Sequence, residues 1–172
     1  MPTDTLLANA DGDHTDFTPS AGDRYDCVSD SLDGTYITSA TPGHEGSFFY
    51  PDAPKAAVGV VSVKAGYRAY WSGGTQADVK MFARLANVDG TKDASQQLTN
   101  SAAEYVSGAL ARPGGGDWSV ADVNGDFEVG VYLNNTTGGS SCRVTELRWL
   151  LKYTTVGGWH SIVVGILGPE AP

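Results

Sequence analysis

The stretch AVGVVSVKAGYRAYW at residues 57–71 decides the fold class of this chain. Small or apolar side chains alternate with polar ones along it, which is the two-residue period of a β-strand with one buried face. Residues 78–86, DVKMFARLA, repeat the alternation after the turn SGGT at residues 72–75. Helical spacing fits both runs poorly. Together they predict a hairpin of an antiparallel sheet, with one face in the core and the other in solvent.

Shorter runs of the same character are separated by turn residues along the rest of the chain. We predict them as strands, at residues 35–38, 47–50, 104–111, 126–133 and 141–153. A single helical turn is predicted at residues 118–124, with Asp117 as its N-cap. With 22 glycines and eight prolines in 172 residues, many turns are expected. The sequence predicts an all-β protein: an antiparallel β-sandwich of jelly-roll type with extended N- and C-terminal arms.

Composition divides the chain into three predicted segments. Residues 1–34 form an acidic, turn-rich N-terminal segment, residues 35–153 the β-sandwich core, and residues 154–172 an apolar C-terminal arm. An exposed apolar run of this kind invites aggregation unless a neighbour covers it. We therefore expect the arm to be an assembly contact that adds a strand to a neighbour or fills its groove. The predicted contact residues are Trp159, Ile162, Val163, Val164, Ile166 and Leu167.

The net charge of −9 is concentrated at the N-terminus. Residues 1–34 hold eight Asp and one basic residue, whereas the remaining residues hold 12 acidic and 10 basic side chains. Binding to nucleic-acid phosphates or to anionic lipid needs a concentrated basic face, so neither is expected. The first residues have no basic and apolar leader pattern, and no stretch has the length of a membrane span. We expect no signal peptide and synthesis in a cytoplasm.

The two cysteines leave two interpretations open. Cys27 and Cys142 lie far apart and belong to no CxxC pair. They could bridge an early strand to the closing strand. Two free buried thiols are favoured in a protein made in a cytoplasm.

Enzyme motifs are missing from the sequence. It contains no GxSxG elbow, phosphate loop, HExxH or dinucleotide fingerprint. The histidines His14, His44 and His160 are scattered, and none pairs by spacing with Asp or Cys. We expect a protein that is not an enzyme and uses no cofactor.

Two groups of oxygen ligands are candidates for calcium sites. Asp122, Asn124 and Asp126 alternate like the start of a calcium loop, but the glycine and the terminal Glu of such a loop are missing. A turn before the next strand is the favoured interpretation. The second group has no recognisable register and leaves a surface calcium open; it comprises Asn9, Asp11, Asp13 and Asp16. No metal site is predicted.

Aromatic residues offer a different kind of site. Tyr70, Trp71 and Trp118 lie near predicted strand ends, where exposed rings could bind sugar or a receptor. Filling of the core is the competing interpretation for the same rings.

Several phrases of the sequence look familiar together. They are TPSAGDRY at 18–25, DGTYI at 33–37, WSVADVNGDFEVGV at 118–131 and CRVTEL at 142–147. Over residues 6–153 the chain resembles a family of tailed-bacteriophage and prophage virion proteins with a small β-sandwich. The resemblance implies a non-enzymatic particle component made in the host bacterial cytoplasm, located on the head, neck or tail of the virion.

Two function hypotheses follow. The first is a virion structural protein, a decoration, collar or tail component that forms a homo-oligomer and binds neighbouring virion proteins. The alternative is a receptor- or carbohydrate-binding module that uses Tyr70, Trp71 and Trp118. A hydrolase or depolymerase is disfavoured because the sequence offers no paired acid and base.

Overall fold

The computed structural model describes residues 1–29 and 34–156, which are almost entirely β-structure. The strands are β1 (Thr3–Leu7), β2 (Ala10–Thr15), β3 (Thr18–Pro19), β4 (Ile37–Ser39), β5 (Glu45–Phe49), β6 (Ala57–Ser72), β7 (Gln76–Leu85), β8 (Val88–Asp89), β9 (Gln96–Gln97), β10 (Ala103–Val106), β11 (Phe127–Thr137) and β12 (Ser141–Thr155). A short helix, α1 (Val120–Val123), precedes β11. No helix of the described residues is long and apolar enough to cross a membrane.

The strands form two antiparallel sheets packed face to face. Sheet A has the order β10-β6-β12-β4-β3, with β1 also paired to β12. Sheet B has the order β2-β5-β11-β7-β8, with β9 also paired to β7. The predicted all-β, antiparallel sandwich of jelly-roll type is confirmed.

The predicted hairpin between residues 57–71 and 78–86 is wrong. β6 lies in sheet A and β7 in sheet B, so the turn between them carries the chain across the core. β6 pairs instead with β12, and β7 with β11. The alternating pattern identifies which face of each strand is buried. It does not say whether two consecutive strands pair in one sheet or pack against each other across the core.

A second crossing runs beside the first, because the turn at residues 138–140 carries the chain from β11 in sheet B to β12 in sheet A. Ser140 is fully buried between the two crossings. Its hydroxyl accepts a hydrogen bond from Gln76 N–H at 2.9 Å and lies 2.7 Å from the carbonyl oxygen of Thr137. The Ser140 hydroxyl is also 3.2 Å from the carbonyl oxygen of Gly73, so this one side chain joins both corners.

The core lies between the inward faces of the four long strands. Trp149 of β12 is fully buried and meets the Phe127 ring of β11 edge to face, with centroids 4.9 Å apart. Trp118 covers one end of the core: its Nε1 donates to the Leu110 carbonyl, and its ring centroid is 5.4 Å from that of Phe127.

The N-cap of α1 is Ser119, rather than the predicted Asp117, because Ser119 and Asp122 form a reciprocal capping box.

The N-terminal segment takes part in both sheets. Residues 1–34 were predicted as a turn-rich segment beside the sandwich core, yet β1 and β3 lie in sheet A and β2 in sheet B. Cys27 and Cys142 are both buried as free thiols, so the disulfide alternative is excluded. The predicted arm contacts Trp159, Ile162, Val163, Val164, Ile166 and Leu167 lie outside the described residues.

The outer surface of sheet B contains a buried aromatic ring. Phe82 points away from the core and is nevertheless fully buried. Its ring lies over Gly130 of the neighbouring β11, where a Cβ would be 2.9 Å from Cε2 and closer still to two other ring atoms. Gly130 is therefore required by this close approach rather than by its backbone conformation.

We expect Gly130→Ala to destabilise the fold by about 1–3 kcal/mol, because the added methyl group must displace the Phe82 ring. Gly108→Ala is the matched control, since a Cβ at Gly108 meets nothing within 4 Å. Urea unfolding of both variants measures the difference. Equal midpoints would contradict the packing argument.

Candidate functional site

Of the three aromatic residues considered from the sequence as ligand contacts, two pack against the core and one faces outward. Trp118 is half-buried and held by Leu110 and Phe127, and Trp71 is half-buried against the core. Both therefore serve packing at the ends of the sandwich. Tyr70 is different, because it lies on the outward face of β6, opposite to the buried Tyr67 and Ala69.

Tyr70 belongs to a cluster on the outer surface of sheet A. The Arg143 guanidinium lies over the Tyr36 ring, with Cζ 4.4 Å from its centroid, and 5.8 Å from the centroid of Tyr70. Arg143 Nη1 donates to the Tyr70 hydroxyl at 3.4 Å. All three side chains are half-buried. We call Tyr36, Tyr70 and Arg143 the aromatic–arginine platform.

Sheet pairing explains how distant residues form this platform. Arg143 of β12 is directly opposite Tyr70 of β6 on one side and Thr38 of β4 on the other. Tyr36 lies just before β4, and its N–H donates to Ser20 Oγ at 2.9 Å. Sequence analysis missed Tyr36 and Arg143 because their proximity depends on the β4–β12–β6 pairing.

Further along the same surface, the outward residues are charged. Arg148 lies over Gly66, where a Cβ would be 2.7 Å from its Nε. Its Nη2 donates to Glu104 Oε2 at 2.7 Å, and its Nη1 donates to the buried Glu146. The outer surface of sheet A thus continues from the platform into a polar region.

The outer surface of sheet B carries a denser ion-pair network. Arg84 lies at its centre, 2.7 Å from Asp89 Oδ1, 2.9 Å from Asp13 Oδ2 and 3.3 Å from Glu128 Oε1. Glu128 is almost fully buried and also accepts from Asp13 N–H and the Ser47 hydroxyl. A register shift in β2 brings residues 12–14 over this surface, where they cover it.

His14, Glu45 and Asp89 form a candidate cation site within this network, with ligand atoms within 4.8 Å of one another. The two ring nitrogens of His14 face different carboxylates, Nδ1 at 3.2 Å from Glu45 and Nε2 at 3.0 Å from Asp89. Arg84 Nη1 is 2.7 Å from Asp89 Oδ1 and 3.3 Å from His14 Nε2, where a bound metal would lie. Lys92 Nζ is 2.8 Å from Glu45. Arg84 and Lys92 therefore already pair with the carboxylates of Asp89 and Glu45. The residues present fit an ion-pair cluster better than a metal centre.

Burial and hydrogen bonding act in opposite directions on Asp89. Burial raises the pKa of its carboxyl, but hydrogen bonds from His14 and Arg84 outweigh it and leave the pKa below its ordinary value. Asp89 therefore stays ionised within the network. The sequence offered no signal for this cluster, since its members come from β2, β5, β7 and β8.

Several residues of the two candidate calcium groups have other partners. Asp122 accepts from Arg112 Nη2 at 2.9 Å and from Arg112 Nε at 3.0 Å, and it completes the capping box of α1. Asn124 Oδ1 accepts from Ala53 N–H at 2.7 Å. In the earlier group, Asp11 pairs with Arg24 and Asp16 accepts from Glu45 N–H. The structure supports the turn interpretation of residues 122–128.

Asp122 gives a pH dependence with a defined sign. Hydrogen bonding from Arg112 lowers the pKa of Asp122 from 3.8 to about 2. The contribution of its carboxylate to stability is complete above pH 3.8 and is lost as the pH falls through about 2. We expect Asp122→Asn to destabilise the protein by about 1–2 kcal/mol at neutral pH.

The measurement is the melting temperature of wild type and Asp122→Asn by circular dichroism between neutral pH and pH 2. The gap between them should close toward the acid end of the series. Asp117→Asn, which alters a nearby exposed carboxylate, is the control and should track wild type. A gap that stays constant with pH would contradict the assignment.

Comparison with known proteins identifies the fold. No protein-family model and no curated protein matches the chain. Among solved structures, the chain is similar to the CBM36-1 domain of a multidomain xylanase from the hindgut metagenome of Trinervitermes trinervoides, with TM-score 0.50 and 9% identity over 90% of this chain and 99% of that domain.

Two further solved structures align with the chain. One is a point mutant of a carbohydrate binding module family 29, with TM-score 0.44 and 11% identity over 86% of this chain and 90% of the other. The other is the Agl-KA catalytic domain, with TM-score 0.42 and 8% identity over 90% of this chain and 28% of the other. At these identities the likeness to the CBM36-1 domain shows a shared β-sandwich fold.

Proposed function

We propose that this protein is a carbohydrate-binding module whose ligand surface is the aromatic–arginine platform on sheet A. One observation carries the proposal: Tyr36 and Tyr70 flank the Arg143 guanidinium on an outward-facing, half-exposed surface. A tyrosine ring offers an apolar face to the C–H groups of a pyranose, and its hydroxyl offers a hydrogen bond. The guanidinium adds several donors in a fixed plane.

The platform is held in place before any ligand arrives. Arg143 contacts both rings, and its strand pairs on both sides over the same residues. Thr38, opposite Arg143, donates from Oγ1 to the Cys142 carbonyl at 2.9 Å and fixes the neighbouring strand. Groups ordered in advance lose little conformational entropy on binding, which favours affinity for a flexible ligand.

The fold likeness supports the same function. The matched CBM36-1 domain is a carbohydrate-binding module by name, and the sequence independently suggested a carbohydrate-binding alternative. Two of the three aromatics in that alternative, Trp71 and Trp118, pack at the core instead. The proposal therefore retains Tyr70 and replaces the other two with Tyr36 and Arg143.

We expect Tyr36→Ala and Tyr70→Ala each to weaken glycan binding about tenfold, or roughly 1.4 kcal/mol, because each removes a stacking surface. Tyr132→Ala is the matched control, since Tyr132 faces outward from the central strand of sheet B. A glycan array first identifies a ligand, and titration calorimetry then compares the variants. An array without binding would overturn the proposal.

Virion assembly remains a second proposal, and one observation favours it. Val58, Val61 and Val156 are 54%, 45% and 85% exposed near the end of the β6–β12 ladder, where the predicted C-terminal arm begins. A register shift in this ladder leaves Val61 without a partner on β12. An exposed apolar group of this kind suits a neighbouring subunit.

If this second function is right, the full-length protein forms a discrete oligomer in sedimentation velocity. The double variant Val58→Asp and Val61→Asp should dissociate it, because each change buries a charge at the contact. Val88→Asp is the control, since Val88 is 54% exposed on β8 of the other sheet. A monomeric full-length protein would contradict self-assembly through this surface.

A further inference from the structure

We infer that the ligand of sheet A is an acidic polysaccharide, in which Arg143 pairs with the carboxylate of a uronic acid residue. This inference rests on the proposed carbohydrate-binding function and specifies its substrate class. It comes from the distribution of charge over the outer surface of sheet A.

The outer surface of sheet A is basic although the protein is acidic. The chain has a net charge of −9. The outward-facing residues of sheet A in the described part of the chain include five basic and two acidic side chains, a surplus of three positive charges. The basic ones are Lys64, Arg68, Arg143, Arg148 and Lys152, and the acidic ones are Glu104 and Glu146.

The ion pairs leave part of this positive charge available. Arg148 takes both acidic partners of the surface, Glu104 and Glu146. Among the described residues, no carboxylate lies within the 4.0 Å ion-pair distance of Lys64, Arg143 or Lys152. A local surplus of charge attracts an anionic ligand even when the whole protein carries the opposite sign, because salt screens the distant charges more strongly.

The geometry of the platform also selects which kind of anion binds, which charge alone does not do. Two contacts hold the Arg143 guanidinium: Cζ lies 4.4 Å from the Tyr36 ring centroid, and Nη1 donates to the Tyr70 hydroxyl at 3.4 Å. A planar guanidinium matches a carboxylate through two parallel N–H donors, whereas a hydroxyl accepts only one. Arg143 Nε is buried and has no hydrogen-bond partner among the described residues, so the two Nη groups form the edge with which a carboxylate would pair, beside the Tyr70 hydroxyl. A pyranose whose carboxylate occupies this edge can contact the platform as well, so the surface fits a uronic acid polymer.

The test compares polygalacturonate with its fully methyl-esterified form, which has the same backbone without the negative charge. We expect the full-length protein to bind polygalacturonate at least about tenfold more tightly and to lose this preference as NaCl is raised. Arg143→Gln should remove most of the preference, because it removes the group that pairs with the carboxylate. Lys80→Gln is the control, because it removes the same charge from the outward face of sheet B.

Arg143→Lys separates charge from planar pairing and guards against a variant that fails to fold. It should keep the salt dependence but recover only part of the preference for polygalacturonate.

Equal affinity for both polymers would overturn the inference and leave the proposed function intact. Binding to neither polymer nor to any arrayed glycan would overturn the proposed function. Equal competition by duplex DNA would also overturn the inference, since the surface would then recognise charge without recognising sugar.

Discussion

The hydroxyl of Ser140 connects the two places where the chain crosses between the sheets, and the architecture depends on this connection. The β6–β7 and β11–β12 corners lie side by side, and each long strand pairs with a strand from the other corner. With the corners joined, the registers of all four strands are fixed relative to one another. A buried hydroxyl with its partners in place stabilises the fold modestly, and its loss would take the hydroxyl acceptor from Gln76 N–H and the hydroxyl donor from the Gly73 carbonyl.

Once the corners are fixed, the two outer surfaces of the sandwich become different in character. Residues 12–14 cover part of the sheet B surface, where Phe82 and Glu128 are buried and Arg84 pairs with three carboxylates. Sheet A has no comparable burial around its platform, where the described side chains of Tyr36, Tyr70 and Arg143 stay half-exposed. The acidic N-terminal segment therefore covers part of one surface with ion pairs, whereas the described side chains of the platform on the opposite surface stay partly exposed.

Sequence alone predicted the strands well because alternation is a local property. Residues 57–71 and 141–153 were placed in strands, and the structure has them in β6 and β12. It did not predict the sheet to which each strand belongs, since β6 and β7 carry the same pattern on opposite sides of the core. The site was predicted only in part, through Tyr70. Arg143 and Tyr70 are 73 residues apart, and His14 and Asp89 are 75 apart, so both contacts depend on tertiary pairing that no local pattern encodes.

The two buried thiols report on different parts of the molecule. Cys142 lies on a central strand, and burial raises the pKa of its thiol to about 12. Cys27 lies in the segment at residues 24–28, where the Val28 carbonyl accepts from Leu147 N–H at 3.0 Å. Neither sulfur can react with a thiol reagent until its surroundings open. The rate of labelling at Cys27 would therefore report local opening of the segment at residues 24–28, whereas the rate at Cys142 would report opening between the two sheets. The protein thus contains two thiol probes of opening without any substitution.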